Sequence, residues 1–178
     1  MKLLKENNIE ACNGFKSLFS HNLLDGDAKI ITEKEIILLK EWIVVYNSFK
    51  QSVWSIVCDS VRQSFNDLMW RSVKNSIKNN IKFPIFKSSS FVALSSIYPQ
   101  SSVYAYVSSF FPEIRKWKGI EHEEGKNPFQ SCIDLCKSGF VPAYDRFGWM
   151  LLSGKDAKII YATNTLSMHY HQKNKKSL

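Results

Sequence analysis

The sequence predicts an α+β fold that is mainly helical: a helical repeat array followed by a small C-terminal element of one helix and an antiparallel meander. Three observations carry this expectation. Apolar residues recur at every fourth position from Phe49 to Ile81. Thr32 and Glu35, just upstream, have the spacing of a capping box. Beyond residue 127 one helical stretch gives way to short apolar runs separated by turn residues.

The elements follow in order. In the first stretch Leu3, Leu4 and Ile9, then Phe15, Leu18 and Phe19, suggest two short helices with Gly14 between or within them, and Asp25-Gly26-Asp27 reads as a turn. A helix should open at Thr32 and run through Ile36, Leu39, Trp42, Ile43 and Tyr46. The array is Phe49, Val53, Val57, Val61, Phe65, Met69, Val73, Ile77 and Ile81. Most of these residues follow a serine, namely Ser48, Ser52, Ser60, Ser64, Ser72 or Ser76. Such regularity is an internal repeat. A four-residue step advances about 400° on a helix, so the stripe drifts by about 40° per unit. A straight helix would therefore not bury it against one flat partner; a broken or right-handedly coiled one could. An extended array would mix Ser55 and Asp59 onto the face of Val53 and Val57, so helix is the better assignment.

Pro84 ends the array. Residues 85–101 read as a serine-rich loop, after which Ser102-Val103 and Tyr106-Val107 resume the motif up to Phe111. Residues 113–126 are charged and irregular. Asn127-Pro128 then opens a helix with Phe129, Cys132, Ile133, Leu135 and Cys136 at helical spacing, and Gly139 caps it. Phe140-Val141, Trp149 to Leu152 and Ile159 to Tyr161 read as strands, with turns at 145–148 and 153–156. The expected organisation is thus a helical part, 1–111, containing the array at 48–81; a small α+β element, 112–168; and a basic tail, 169–178. The first two form either one domain or two parts joined near 112–127.

Composition narrows the function classes. The chain has 178 residues, 44% of them hydrophobic, which is enough for a packed core and excludes a disordered chain. The net charge of +8 favours acidic partners: nucleic acid, an anionic membrane or an acidic protein surface. The start lacks the apolar stretch of a secretory signal, and the apolar window at 36–45 is broken by Lys40 and Glu41. A cytoplasmic protein without a membrane span is expected, with Cys12, Cys58, Cys132 and Cys136 reduced.

The array, the stretch Ala11-Cys12-Asn13-Gly14-Phe15 and the ending carry a resemblance. The ending runs Asn127-Pro128-Phe129-Gln130-Ser131-Cys132-Ile133-Asp134-Leu135, then Gly139-Phe140-Val141-Pro142, then Gly154-Lys155-Asp156-Ala157-Lys158-Ile159. Together they resemble a group of uncharacterised bacterial and phage proteins with Ser-Val arrays followed by this ending. The resemblance implies a phage or mobile-element accessory protein and carries over no site residue.

Chemistry-bearing groups are sparse. Cys132 and Cys136, four apart on a helix, share a face and could ligate zinc with a histidine such as His122, His169 or His171. Their apolar surroundings favour buried thiols with no metal. His122-Glu123-Glu124 lacks the His-Glu-x-x-His spacing of a metal helix and reads as a solvated loop. Gly154-Lys155 lacks the glycines of a phosphate loop and reads as a hairpin turn. No catalytic residue, metal or cofactor is assigned.

The strongest functional signal is basic. No Asp or Glu occurs between Leu68 and Pro112, while Arg71, Lys74, Lys78, Lys82 and Lys87 do. On a helix the first four fall within an arc of about 80°, away from Met69, Val73 and Ile77. Such a face could follow a phosphate backbone, dock an acidic protein or simply face solvent. The expected function is a non-catalytic interaction or regulatory protein working by surface binding. The alternative is a nucleic-acid-binding accessory protein using the basic face. An enzyme ranks third.

Overall fold

In a computed structural model, the structure describes residues 23–49, 51–64, 100–145 and 147–164. Among them run helices α1 (Glu33–Ser48), α2 (Val53–Ser64), α3 (Gln100–Ser108) and α4 (Gln130–Lys137), then strands β1 (Phe140–Asp145), β2 (Gly148–Ser153) and β3 (Lys158–Ala162). The class is α+β. The expected helices before residue 23, the array from Phe65 to Ile81, the loop as far as Pro99 and the tail lie outside the described residues.

Helix α1 opens at the expected capping box. Glu35 accepts hydrogen bonds from the Thr32 amide (2.9 Å) and hydroxyl (2.5 Å), and Glu33 and Glu35 put negative charge in the first turn. The helix stops because Phe49 turns extended (φ −101°, ψ 144°). The first two array serines serve the resulting break. The Ser48 hydroxyl donates to the Val45 carbonyl in the last turn of α1. Ser52 Oγ accepts the Ser55 amide at 3.2 Å, capping the start of α2. The array is therefore not continuous at its beginning: Phe49 sits between two helices.

Within α2 the buried residues are Val53, Ile56, Val57, Ser60 and Val61. Ile56 and Ser60, each one place before an array residue, complete the stripe. Steps of three and four then alternate, which restores the 3.6-residue period and cancels the drift of the bare four-residue repeat. Ser60 ties α2 to the loop that follows α3: its Oγ donates to the Ile56 carbonyl (2.7 Å) and accepts the Lys118 amide (2.8 Å). Ser64 is exposed.

Helix α3 begins at Gln100, two residues earlier than the resumed motif suggests, and buries Ser102, Val103, Ala105, Val107 and Ser108. Helix α4 begins at Gln130 rather than at Pro128. Asn127 Oδ1 accepts the Phe129 amide at 2.9 Å, so a single turn precedes the helix proper. Gly139 follows its end with φ +85°, a left-handed conformation that suits glycine.

The strands form an antiparallel meander in the order β1-β2-β3, as expected. Pro142 pairs opposite Leu151. It is tolerated because β1 ends the sheet, and its carbonyl accepts the buried Ser102 hydroxyl at 2.6 Å. Alternation assigns the two faces. Phe140 and Leu151 join the main core with Leu39, Trp42, Val53, Val61, Ala105, Phe111, Trp117, Phe129 and Cys132. Val141, Ala143, Met150 and Leu152 pack on the other face with Leu24 and Ala157. Gly154 explains the fit of the segment before α1. A Cβ there would lie 2.6 Å from the Ala28 amide nitrogen, and the Lys155 amide donates to the Gly26 carbonyl (2.9 Å). The main core draws on residues from both sides of position 112.

Candidate interaction surface

The groups with the greatest chemical potential are held in structural contacts. His122 lies in the irregular stretch 113–126. Its Nε2 accepts the Trp117 amide at 2.8 Å, which places the ring proton on Nδ1, 2.8 Å from the Glu123 carbonyl. The imidazole thus pins the loop so that Trp117 enters the core. Glu123 and Glu124 pair on the surface with Lys126 (2.7 Å) and Arg115 (3.5 Å). Asp145 Oδ1 accepts the amides of Phe147 (2.8 Å) and Gly148 (3.0 Å) and shapes the β1–β2 turn.

Cys132 and Cys136 share the inner face of α4, both buried. The Cys132 thiol donates to the Ser102 carbonyl (3.7 Å). Burial, reinforced by neighbouring Cys136, pushes Cys132 well above the ordinary thiol range. Nucleophilic attack and metal ligation both need the thiolate, which this environment disfavours. Among the described residues no group of three His, Cys, Asp or Glu is placed to hold a metal ion. Cys12, His169 and His171 lie outside them.

A cluster of aromatic rings joins α1 to α4 and the sheet. Phe129 lies edge-to-face with Trp42 (6.3 Å) and Trp117 (5.8 Å), and Trp149 with Tyr46 (4.9 Å). Two buried indole nitrogens, Trp42 Nε1 and Trp117 Nε1, have no hydrogen-bond acceptor among the described residues. Both rings meet Phe129, and edge-to-face packing turns polarised ring edges toward a π face.

The predicted basic face, Arg71, Lys74, Lys78, Lys82 and Lys87, lies outside the described residues. What sequence reasoning missed is the outer side of α1. This helix is apolar nearly all round, and Ile37 and Val44 remain exposed on it, with Ile30 exposed just before it. Their seven-residue spacing is visible in the sequence, but periodicity alone does not say which of two apolar faces is buried. Among the described residues no helix is long and apolar enough to cross a membrane. Comparison of the chain with protein-family models, curated proteins and solved structures gives no match.

Proposed function

We propose that the chain is a non-catalytic interaction or regulatory protein that works by surface binding, as an accessory protein of a phage or mobile element. The observation that supports this reading is the use made of the reactive side chains among the described residues. His122, Asp145 and Glu35 are committed to backbone amides or to a helix cap, and Cys132 and Cys136 to the core. Catalysis asks for a nucleophile and a base held toward an open space, with an orienting group behind them. Here those functions are directed inward. The accessory role rests on the family resemblance. Affinity purification from host lysate, with and without nuclease, tests the reading: a stoichiometric partner that survives nuclease supports it. Recovery of the chain alone would sink it.

A second reading is favoured by the charge distribution, the acid-free stretch from Leu68 to Pro112 with its five cations. On this reading the chain is a nucleic-acid-binding accessory protein in which Arg71, Lys74, Lys78, Lys82 and Lys87 neutralise phosphates. The logarithm of affinity should fall with the logarithm of salt concentration, with a slope of about −0.9 per phosphate on duplex DNA and about −0.7 on single strands. Sequence preference should be weak, because lysines supply charge rather than bidentate base contacts. Replacing Lys74, Lys78 and Lys82 with glutamine should weaken binding and flatten the slope at an unchanged melting temperature. Failure of the wild type to be retained on DNA or RNA at low salt rules this reading out.

A further inference from the structure

Asp25-Gly26 is the one Asp-Gly step in the sequence. It lies in the segment before α1, where Asp25, Gly26 and Asp27 are all exposed. Gly26 has φ +65°, and a Cβ added to it would meet nothing within 4 Å. No side chain of its own screens the Gly26 amide, and water reaches it freely. That amide donates to Oδ1 of Asp25 at 2.8 Å. The nitrogen is thus held beside the carboxyl carbon, one bond beyond the oxygen it touches. Reacting atoms close from separations of about 3–3.5 Å.

The other described aspartates are held differently. Asp59 and Asp134 precede amides inside the backbone ladders of α2 and α4. Asp145 gives its Oδ1 to the amides of Phe147 and Gly148. Asp156 is followed by Ala157, whose amide donates to the Gly154 carbonyl at 2.9 Å. Asp27 is followed by Ala28, whose amide nitrogen is packed against Gly154.

We propose that Asp25-Gly26 is a site of spontaneous covalent modification, at which aspartate isomerises to isoaspartate. The Gly26 amide nitrogen attacks Cγ of Asp25. A C–N bond forms, and the carboxyl hydroxyl leaves as water with the amide proton. The product is a five-membered succinimide. Water then adds to either ring carbonyl and breaks its bond to nitrogen. Opening at the side-chain carbonyl restores aspartate. Opening at the main-chain carbonyl leaves the chain running through the side chain, with the carboxylate on Cα. One water is lost and one regained, so no co-reactant is required and the charge is unchanged.

The position of the step gives the reaction a structural consequence. The Gly26 carbonyl accepts the Lys155 amide at 2.9 Å, which fastens the segment before α1 to the β2–β3 turn. Isomerisation inserts one methylene into the main chain immediately before Gly26. The carbonyl is displaced and the Lys155 amide loses its acceptor. The Lys29 amide and ammonium still hold Ser153 and Ser138, so the rest of the segment stays in place.

Ageing the full chain, warm and at mildly acidic pH in water enriched in heavy oxygen, tests this. The tryptic peptide Ser17–Lys29 should gain an isomer with one heavy oxygen at residue 25, taken up when the ring opens. Electron-transfer fragmentation distinguishes residue 25 from Asp27. Asn13-Gly14 can close the same ring with loss of ammonia, but it falls in a different peptide. The reaction should run faster at mildly acidic than at neutral pH, because the leaving hydroxyl belongs to the protonated carboxyl. Asp25→Glu, which would need a six-membered ring, should abolish it. In the separated isomerised chain the Lys155 amide should exchange with solvent about fivefold faster, the weight of one ordinary hydrogen bond, at unchanged helical circular dichroism. Asp25 that stays intact in the folded chain overturns the proposal, as does isomerisation shared equally between Asp25 and Asp27. Unchanged exchange at Lys155 in the isomerised chain overturns the unfastening.

Discussion

At the scale of single residues, side-chain oxygens hold the backbone at the ends of the elements. Glu35 is the case with a measurable pH signature. The Thr32 hydroxyl and amide donate to its carboxylate and hold its pKa below the ordinary glutamate value, against the opposing effect of burial. A carboxyl whose folded-state pKa is depressed stabilises the fold fully above its unfolded pKa. That stabilisation is lost as pH falls through the folded value. The melting temperature should thus decline as pH drops below the ordinary glutamate range. Glu35→Gln, which keeps the shape but not the charge, should make that decline shallower. Identical pH profiles for the two proteins would show that the capping carboxylate is not the titrating group. His122 also holds backbone in place: its Nε2 accepts the Trp117 amide, and the loop is anchored through it.

At the scale of elements, α2 shows how a helix with valines at every fourth position is packed. Val53, Val57 and Val61 are buried, and Ile56 and Ser60 lie beside them on the same face of the helix. Val61→Asp should destabilise the fold by several kcal/mol, roughly the cost of an unpaired buried charge, as read by denaturant unfolding. Ser60→Ala should cost about 1–3 kcal/mol, since the Lys118 amide loses its acceptor in a partly buried site. Val44→Ala on exposed α1 should stay within about 0.5 kcal/mol and serves as the control. An unchanged midpoint for Val61→Asp would contradict the packing of α2.

At the scale of the whole molecule, one buried cluster takes side chains from α1, α2, α3, the 113–126 loop, α4 and the sheet. Cys132 is fully buried within it and Cys136 nearly so. Their thiols should react with an aromatic disulfide reagent only as fast as the core opens. The labelling rate of Cys132 in the native protein should therefore rise with denaturant in parallel with global unfolding, while half-buried Cys58 reacts sooner. Immediate stoichiometric labelling of Cys132 in native buffer would mean that α4 is not seated as described.

Much of the local structure was legible in advance because its causes are local. Thr32 with Glu35, Gly139 after the helix, and the turns at 145–148 and 153–156 depend on a few adjacent residues and their own dihedral preferences. The α+β class and the order of the meander follow from the same signals. The tertiary structure decided what depends on distant partners. Ser102 holds the Pro142 carbonyl forty residues away, and Ser60 holds the amide of Lys118, fifty-eight residues away. No spacing rule relates such positions, because their approach is set by how the helices pack rather than by the path of the chain. The same is true of α1. Its sequence supplies apolar residues on nearly every side, and only packing against α4 and the aromatic cluster determines that Trp42 and Leu39 turn inward while Ile37 and Val44 are left to face outward.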